Sequence, residues 1–359
     1  MTNAHYTARA VDLLSRLIAT PSVSRNEDAA AAIMFAELEK LGFAPHRTGN
    51  NVWAVGGTYD ASRPTVLLNA HIDTVKPVAS WTRDPFCPSL EDGTLYGLGS
   101  NDCGCGLVSL LQAFCQLSAR QQPYNIIYLA SAEEEVSGAG GIVVALRELP
   151  KIDVAVVGEP TGMQPAVAEK GLMVLDVTAR GRSGHAARGE GDNAIYRMLD
   201  DLCWLRAYRF QRVSRFLGPT LAQATVVNAG TQHNVVPDEC RAVVDVRVNE
   251  MYTNEEVFDI VKQNMSSEVS ARSFRLRPSH IDVSHPVVER CVAMGRKPFG
   301  SPTLSDQALM PFPSLKLGPG DSARSHSADE YIRIAEISEA IEFYVQLLDG
   351  LCITPWQPQ

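Results

Sequence analysis

The sequence predicts an α/β fold, a mainly parallel sheet interrupted by a smaller inserted α+β domain. Three observations lead there. Short apolar runs at 66–68, 126–130 and 154–157 alternate with helical periodicity, the pattern of a parallel sheet covered on both faces. After about residue 168 the order becomes β-α-β-β-α-β, the split ferredoxin-like arrangement, and from about residue 281 the first pattern resumes. At 359 residues the chain also exceeds one ordinary core, so two domains are expected. The predicted division is 1–168 with 281–359 for the larger domain and 169–280 for the insert.

In chain order, 11–18 and 29–41 have helical periodicity, and the second run stops at Gly42 as a helix end should. Strands are expected at 51–55 and 66–68, then a helix at 106–117 and a strand at 126–130. A helix at 142–148 and a strand at 154–157 follow. In the insert, strand 172–179 and helix 193–208 precede strands 224–228 and 242–248, helix 255–265 and a last strand at 274–280. Strand 315–317 and helix 337–348 complete the larger domain.

Composition narrows the function classes. Hydrophobic residues make up 45% and charged residues 20%, values of a globular chain. A net charge of −9, with no basic run among aromatics, argues against a nucleic-acid surface; part of the excess acid can neutralise bound cations. The longest apolar stretch, 107–117, is interrupted by Ser109, Gln112 and Gln116 and is too short to cross a bilayer. The first ten residues lack a basic region followed by an apolar core, so a cytoplasmic location is expected. The eight cysteines are expected to be reduced, since Cys103-Gly-Cys105 has neither zinc-finger nor redox spacing.

The chemistry sits where strands end. Val66-Leu67-Leu68 runs into Asn69-Ala70-His71-Ile72-Asp73, 126–130 into Ser131-Ala132-Glu133-Glu134-Glu135, and 154–157 into Gly158-Glu159-Pro160. Open α/β sheets bind ligands beyond the carboxyl ends of their strands, so these side chains are expected in one crevice. Each residue also has a plainer reading. His71 alone could be a satisfied core histidine, but Asp73 two residues on suits a ligating imidazole, whose other N–H commonly meets a carboxylate. Three adjacent glutamates could be a solvated patch; directly after an apolar strand they repel one another unless a cation offsets them. Glu159 could simply precede a turn. Asp102, in Gly97-Leu-Gly-Ser-Asn-Asp-Cys-Gly-Cys-Gly106, could be a helix N-cap. That segment lacks the Gly-Lys-Ser/Thr ending of a phosphate loop, and no Gly-x-Ser-x-Gly elbow occurs in the chain.

His71, Asp102, the glutamate run, Glu159 and the late Gly318-Pro-Gly-Asp-Ser-Ala-Arg-Ser-His326 together resemble the zinc-dependent M20 family of amidohydrolases and exopeptidases. Within it the chain is similar to the acetylornithine deacetylase and succinyl-diaminopimelate desuccinylase branch, over nearly its whole length. The resemblance implies a di-zinc catalytic domain, with cobalt as a second candidate metal, and an inserted dimerisation or lid domain. It implies one metal on His71, Asp102 and Glu159, and a second on Asp102, Glu135 and His326. Asp102 would bridge the two, each site being left open as catalytic sites are. It makes Glu134 the general base and Asp73 the group orienting His71. In Gly181-Arg-Ser-Gly-His185-Ala-Ala-Arg-Gly, it makes His185 a stabiliser of the oxyanion in the partner subunit of a homodimer, where the plainer reading is a hairpin histidine. Asn234, Arg247 and the Gly318 and Gly320 turn resemble substrate-binding groups. Asp245 and Arg247 would share one strand face, with a solvated arginine as the alternative for Arg247.

The implied reaction is removal of an N-acyl group from an amino acid, acetylornithine first. Acetylcitrulline, succinylated ornithine or diaminopimelate, and dipeptides are the alternatives. A metal-binding relative without catalysis is a reading from another class, and Glu134 beside all five ligands argues against it. The pattern departs from the family after Asp102, where Cys103-Gly104 replaces Met-Lys. It departs again at Pro302-Thr-Leu-Ser-Asp306, where relatives have Gly-Thr-Ser-Asp. Both changes flank the site and bear on substrate more than on reaction type.

Overall fold

A computed structural model describes residues 2–357. The chain divides into two compact units, one of residues 1–167, 280–299 and 305–359, the other of residues 168–279 and 300–304.

The larger unit is built on a mixed, mainly parallel sheet. Its strands run in the order His46–Thr48, Asn51–Gly56, Asn125–Ser131, Thr65–His71, Val154–Val157, Ser314–Lys316 and Ala166–Glu169. The four from Asn125–Ser131 to Ser314–Lys316 are mutually parallel, and the flanking strands are antiparallel. Every residue of Thr65–His71, Asn125–Ser131 and Val154–Val157 is buried, which is why these strands read as continuous apolar runs rather than alternating ones. One face, with Leu67, Ile127, Leu129, Ala155 and Val157, packs on Ile142, Ala145, Leu149 and Met310. Tyr128 turns to the other face, where its hydroxyl donates to the Leu107 carbonyl at 3.0 Å and its ring lies 5.8 Å from that of Phe114. That side is covered by the helices Asn3–Ile18, Cys105–Ser118 and Ile334–Leu348, which pack on one another.

Registry aligns the ends that matter. His71 stands opposite Ser131, and Asn69 opposite both Leu129 and Val157, so three parallel strands finish at one edge. The helix Cys105–Ser118 starts against this edge. A Cβ on Gly106 would lie 1.7 Å from the Gly158 carbonyl oxygen, a separation only glycine permits. The predicted helices, parallel strands and Gly42 stop are present, with Gly42 at φ +87°. The sequence did not signal a three-stranded sheet of Ser89–Glu91, Thr94–Tyr96 and Tyr331–Arg333, whose residues are mostly exposed or half-exposed.

The smaller unit has strands Gly171–Arg180, Leu221–Ala229, Glu239–Val248 and Glu268–Ala271, with helices Ala194–Ala207 and Asn254–Asn264 between them. The sheet is antiparallel, and Gly171–Arg180 and Glu239–Val248 are its centre. Val244, Val246 and Val248 alternate inward with Asp245 and Arg247 outward, joined by two Arg247–Asp245 hydrogen bonds of 2.8 and 3.1 Å. The last strand is corrected from the expected 274–280 to Glu268–Ala271. Phe274 is half-buried against the core, its ring edge-on to Phe258 at 5.3 Å, and does not occupy a strand. Glu268–Ala271, an edge strand with one large apolar residue, Val269, carries little of the alternation that would identify it. Ser279–His280 belongs instead to the large sheet. Among the described residues, no helix is long and apolar enough to cross a membrane.

Candidate metal centre

At the aligned strand ends the backbone delivers imidazole and carboxylate groups to one place. His71, 2% exposed, closes strand Thr65–His71. Its Nδ1 lies 2.8 Å from the Asp73 carbonyl oxygen, an acceptor only, so a proton sits on Nδ1 and Nε2 is the nitrogen left to face the carboxylates of the cleft. The Asp73 carboxylate also stands beside Nδ1, at 3.5 Å. It serves the next strand end as well, accepting the backbone N–H groups of Glu134 at 3.0 Å and Glu135 at 3.2 Å, and the Ser24 hydroxyl at 2.7 Å.

Two triads share Asp102. His71 Nε2 lies 3.3 Å from Asp102 Oδ1 and 3.7 Å from Glu159 Oε1. His326 Nε2 lies 3.0 Å from Glu135 Oε2 and 3.6 Å from Asp102 Oδ2. Donor atoms about 2.1 Å from a tetrahedral cation stand roughly 3.4 Å apart, and the four histidine–carboxylate separations are of that order. Asp102 offers opposite oxygens to the two, as a bridging carboxylate must. It does not cap the following helix, whose N-cap is Gly104 with no side-chain bond, so the N-cap alternative is set aside. Two ligand groupings converge on His71, one with Asp102 and Glu135 and one with Glu159 and Cys103, the atoms of each lying within 4.8 Å of one another. Cys103 was not anticipated there. Its sulfur accepts the His71 backbone N–H at 3.2 Å, and in the metal-free cleft burial pushes its thiol well up.

The electrostatics are those of an anionic cleft. Burial, then the charges of Glu159, Asp306 and Glu135, push the Glu134 carboxyl well above the usual range against an opposing pull from His71. Burial and Asp102 raise Glu159 to about 7. The hydrogen bond to Glu135 raises His326 to about 9, while burial opposes it. Burial would depress His71, but Cys103 and the hydrogen bonds to Asp102 and Asp73 outweigh it and hold the ring high. Acidic groups that resist ionising beside imidazoles that hold protons are a donor set that a divalent cation would relieve.

Four neighbours of the centre had no role in the sequence reading. Lys316, 2% exposed on strand Ser314–Lys316, interacts electrostatically with Glu159, Glu134 and Asp102. Asp306 accepts the Ser131 hydroxyl at 2.6 Å. Asn101 and Glu330 tie loops together, as described below. Glu330 stands four residues after His326, and nothing in its spacing marks it. Gly318 and Gly320 are buried, and a Cβ on Gly318 would lie 2.5 Å from the Glu159 carbonyl oxygen.

The remaining predicted residues lie in the smaller unit. His185 is exposed, and its Nδ1 accepts the Ala187 N–H at 3.2 Å. Asn234 is exposed, its carbonyl accepting the Ala186 N–H at 3.1 Å. Arg247 is paired with Asp245.

Residues 67–350 match the family described as Peptidase family M20/M25/M40. The chain is 28% identical over 374 residues to acetylornithine deacetylase of Proteus mirabilis (strain HI4320), covering 96% of this chain and 97% of that one. It is 25% identical over 372 residues to succinyl-diaminopimelate desuccinylase of Ehrlichia ruminantium (strain Gardel), covering 94% and 96%. Among solved structures, aminopeptidase PepT from Bacillus cereus shares the fold with a TM-score of 0.73 at 19% identity, over 95% of this chain and 98% of that one. The YXEP protein of Bacillus subtilis, described as a dinuclear metal binding peptidase from the M20 family, has a TM-score of 0.72 at 17% identity, over 96% and 98%.

Proposed function

The chain belongs to peptidase family M20/M25/M40 and is a hydrolase of linear amide bonds, and from that premise we propose that it deacylates an N-acylated amino acid. The observation that carries this is the pair of histidine–carboxylate triads sharing Asp102, with Glu134 beside them. We assign one divalent cation to His71, Asp102 and Glu159, and a second to Asp102, Glu135 and His326, zinc being the expected metal and cobalt the alternative. Bound there, the cations supply Lewis-acid polarisation of the amide carbonyl and acidify water.

The chain's own residues do the rest. Glu134 takes the water proton on its carboxylate and hands it to the leaving amine, the general-base and general-acid roles in turn. Asp73 holds the Glu134 and Glu135 backbone, so base and ligand keep a fixed separation. Following the family resemblance, His185 is assigned to the oxyanion in the partner subunit's site, and Asn234 and Arg247 to the substrate carboxylate. The homodimer this requires is supported by strand Leu221–Ala229, an outer strand of its sheet that exposes Leu221, Val226 and Val227. The adjoining helix exposes Ile195, Tyr196 and Leu199. Such a row of unpaired edge groups beside apolar side chains suits pairing with a second copy.

For the substrate, we take acetylornithine first, on the likeness to the Proteus protein, and succinylated diaminopimelate second, on the likeness to the Ehrlichia protein. The deciding experiment is a panel of acetylornithine, acetylcitrulline, succinylornithine, succinyl-diaminopimelate and dipeptides, read as amine release after metal is restored to stripped protein. Cleavage of an acylated amino acid well above all dipeptides is expected. No cleavage of any acylated amino acid would overturn the reading.

A further inference from the structure

We propose that Glu330 is the positioning residue for the His326 half of the centre, holding the His326 loop and the Asp102 segment in one register. The inference rests on the two-cation reading above. Glu330 is 2% exposed. One of its carboxylate oxygens accepts the backbone N–H groups of Asn101 and Asp102, both at 2.8 Å, and the other accepts that of Gly99 at 3.1 Å. Its carbonyl accepts the Gly97 N–H at 3.0 Å. Four main-chain donors of one segment therefore end on a single residue of the loop that carries His326.

Neither segment has regular structure to hold it. Residues 100–104 form a kinked turn in which Asp102, at φ −113° and ψ 102°, is outside helical geometry. Between Gly318 and Glu330 the only regular element is the short turn Ser322–Arg324. A buried carboxylate facing several N–H groups makes charge-assisted hydrogen bonds, the strong kind, and is well suited to fix such a segment. Asn101 adds a second strap. Its Oδ1 accepts the Asp321 N–H at 3.0 Å, and its Nδ2 donates to the Asp321 carbonyl at 3.0 Å and to the Ser325 hydroxyl at 3.2 Å. His326 sits between the straps, with a left-handed backbone at φ +57° and a half-exposed side chain.

The two cations depend on this arrangement unequally. In the first set, His71 lies on a strand and Glu159 just beyond one, and only Asp102 comes from the strapped segment. In the second set both Asp102 and His326 belong to strapped segments, leaving Glu135 as the one ligand held independently. Loss of Glu330 should therefore release the second cation in preference to the first.

The test is Glu330→Gln. The amide places an NH2 where an acceptor oxygen faced backbone donors, leaving at least one N–H without a partner. Stripped wild-type and variant proteins are titrated with Co2+ and followed by visible absorption and calorimetry. The first cation is expected to bind the variant within about threefold of wild type, and the second about 10–100-fold more weakly, the usual effect of losing a group that supports ligands. A merely loosened fold would weaken both together. Should Glu330→Gln not fold, Glu330→Asp, which retracts the carboxylate, and Asn101→Ala, which removes the other strap, replace it with the same expectation. Unchanged affinity for both cations, or an equal loss at both, would overturn the proposal. Wild-type protein that binds fewer than two cations would instead overturn the two-cation reading, and the inference with it.

Discussion

Replacing Glu134 with Gln removes one charge and one proton acceptor while leaving the local backbone intact. The residue 134 N–H still donates to Asp73 at 3.0 Å, so the turn Glu134–Val136 keeps its anchor. Without the carboxylate the attacking water has no base, and such a base contributes roughly 10²–10⁴-fold, about 3–5 kcal/mol of barrier. The same carboxylate is costly in the metal-free fold, where burial and the charges of Glu159, Asp306 and Glu135 raise its pKa. A carboxyl whose folded pKa lies above its unfolded one contributes stability that is complete below the unfolded value of 4.5 and is lost as pH rises through the folded value. Gln imitates the protonated form. Stripped Glu134→Gln protein should therefore melt with wild type near pH 4 and above it at pH 8. The assay pairs kcat from amine release, at measured full metal content, with melting of the stripped proteins at both pH values. Turnover within tenfold of wild type would remove Glu134 from the base role. A variant that melts below wild type at pH 8 would refute the electrostatic argument, whatever the kinetics.

Asp73→Asn should lower metal affinity or turnover by about 10–100-fold, because an amide NH2 then faces one of the Glu134 and Glu135 N–H groups; metal titration with steady-state kinetics measures both. In metal-free protein the hydrogen bond to Glu135 holds His326 protonated up to about pH 9, yet a ligating ring must be neutral. Metal uptake at pH 7.5 should thus expel at least one proton, from His326 and the other groups of the cleft that hold protons, countable by calorimetry in two buffers of different ionisation heat, and uptake without proton release would contradict it. Val227→Glu, on the exposed edge strand, should convert a dimer to monomer in light scattering without lowering the melting temperature by more than a few degrees; an unchanged mass would exclude that edge as the interface.

The sequence by itself determined the strand ends. A parallel strand buried on both faces has to be an unbroken apolar run, so the first polar residues after 66–68, 126–130 and 154–157 are marked as the cleft, and His71, Glu134, Glu135 and Glu159 stand there. Asp102 and His326 were reached through the family pattern, since an irregular loop has no period to read. Tertiary structure alone decided what holds those loops. Glu330 reaches Asn101 and Asp102 across 229 and 228 residues, and Asn101 reaches Asp321 across 220. No local propensity reports a bond between positions so far apart. The same reason hid Lys316, a lysine in a strand that looks ordinary until the sheet brings it within electrostatic reach of Glu159 and Glu134. It also misplaced the last strand of the insert, where Phe274 satisfied the apolar pattern through a ring contact while the real edge strand, exposed at every second residue, had almost no pattern to show. Strand ends are set by burial, which is written residue by residue. The geometry that joins two loops into one metal centre is set by hydrogen bonds that exist only once the sheet has brought them together.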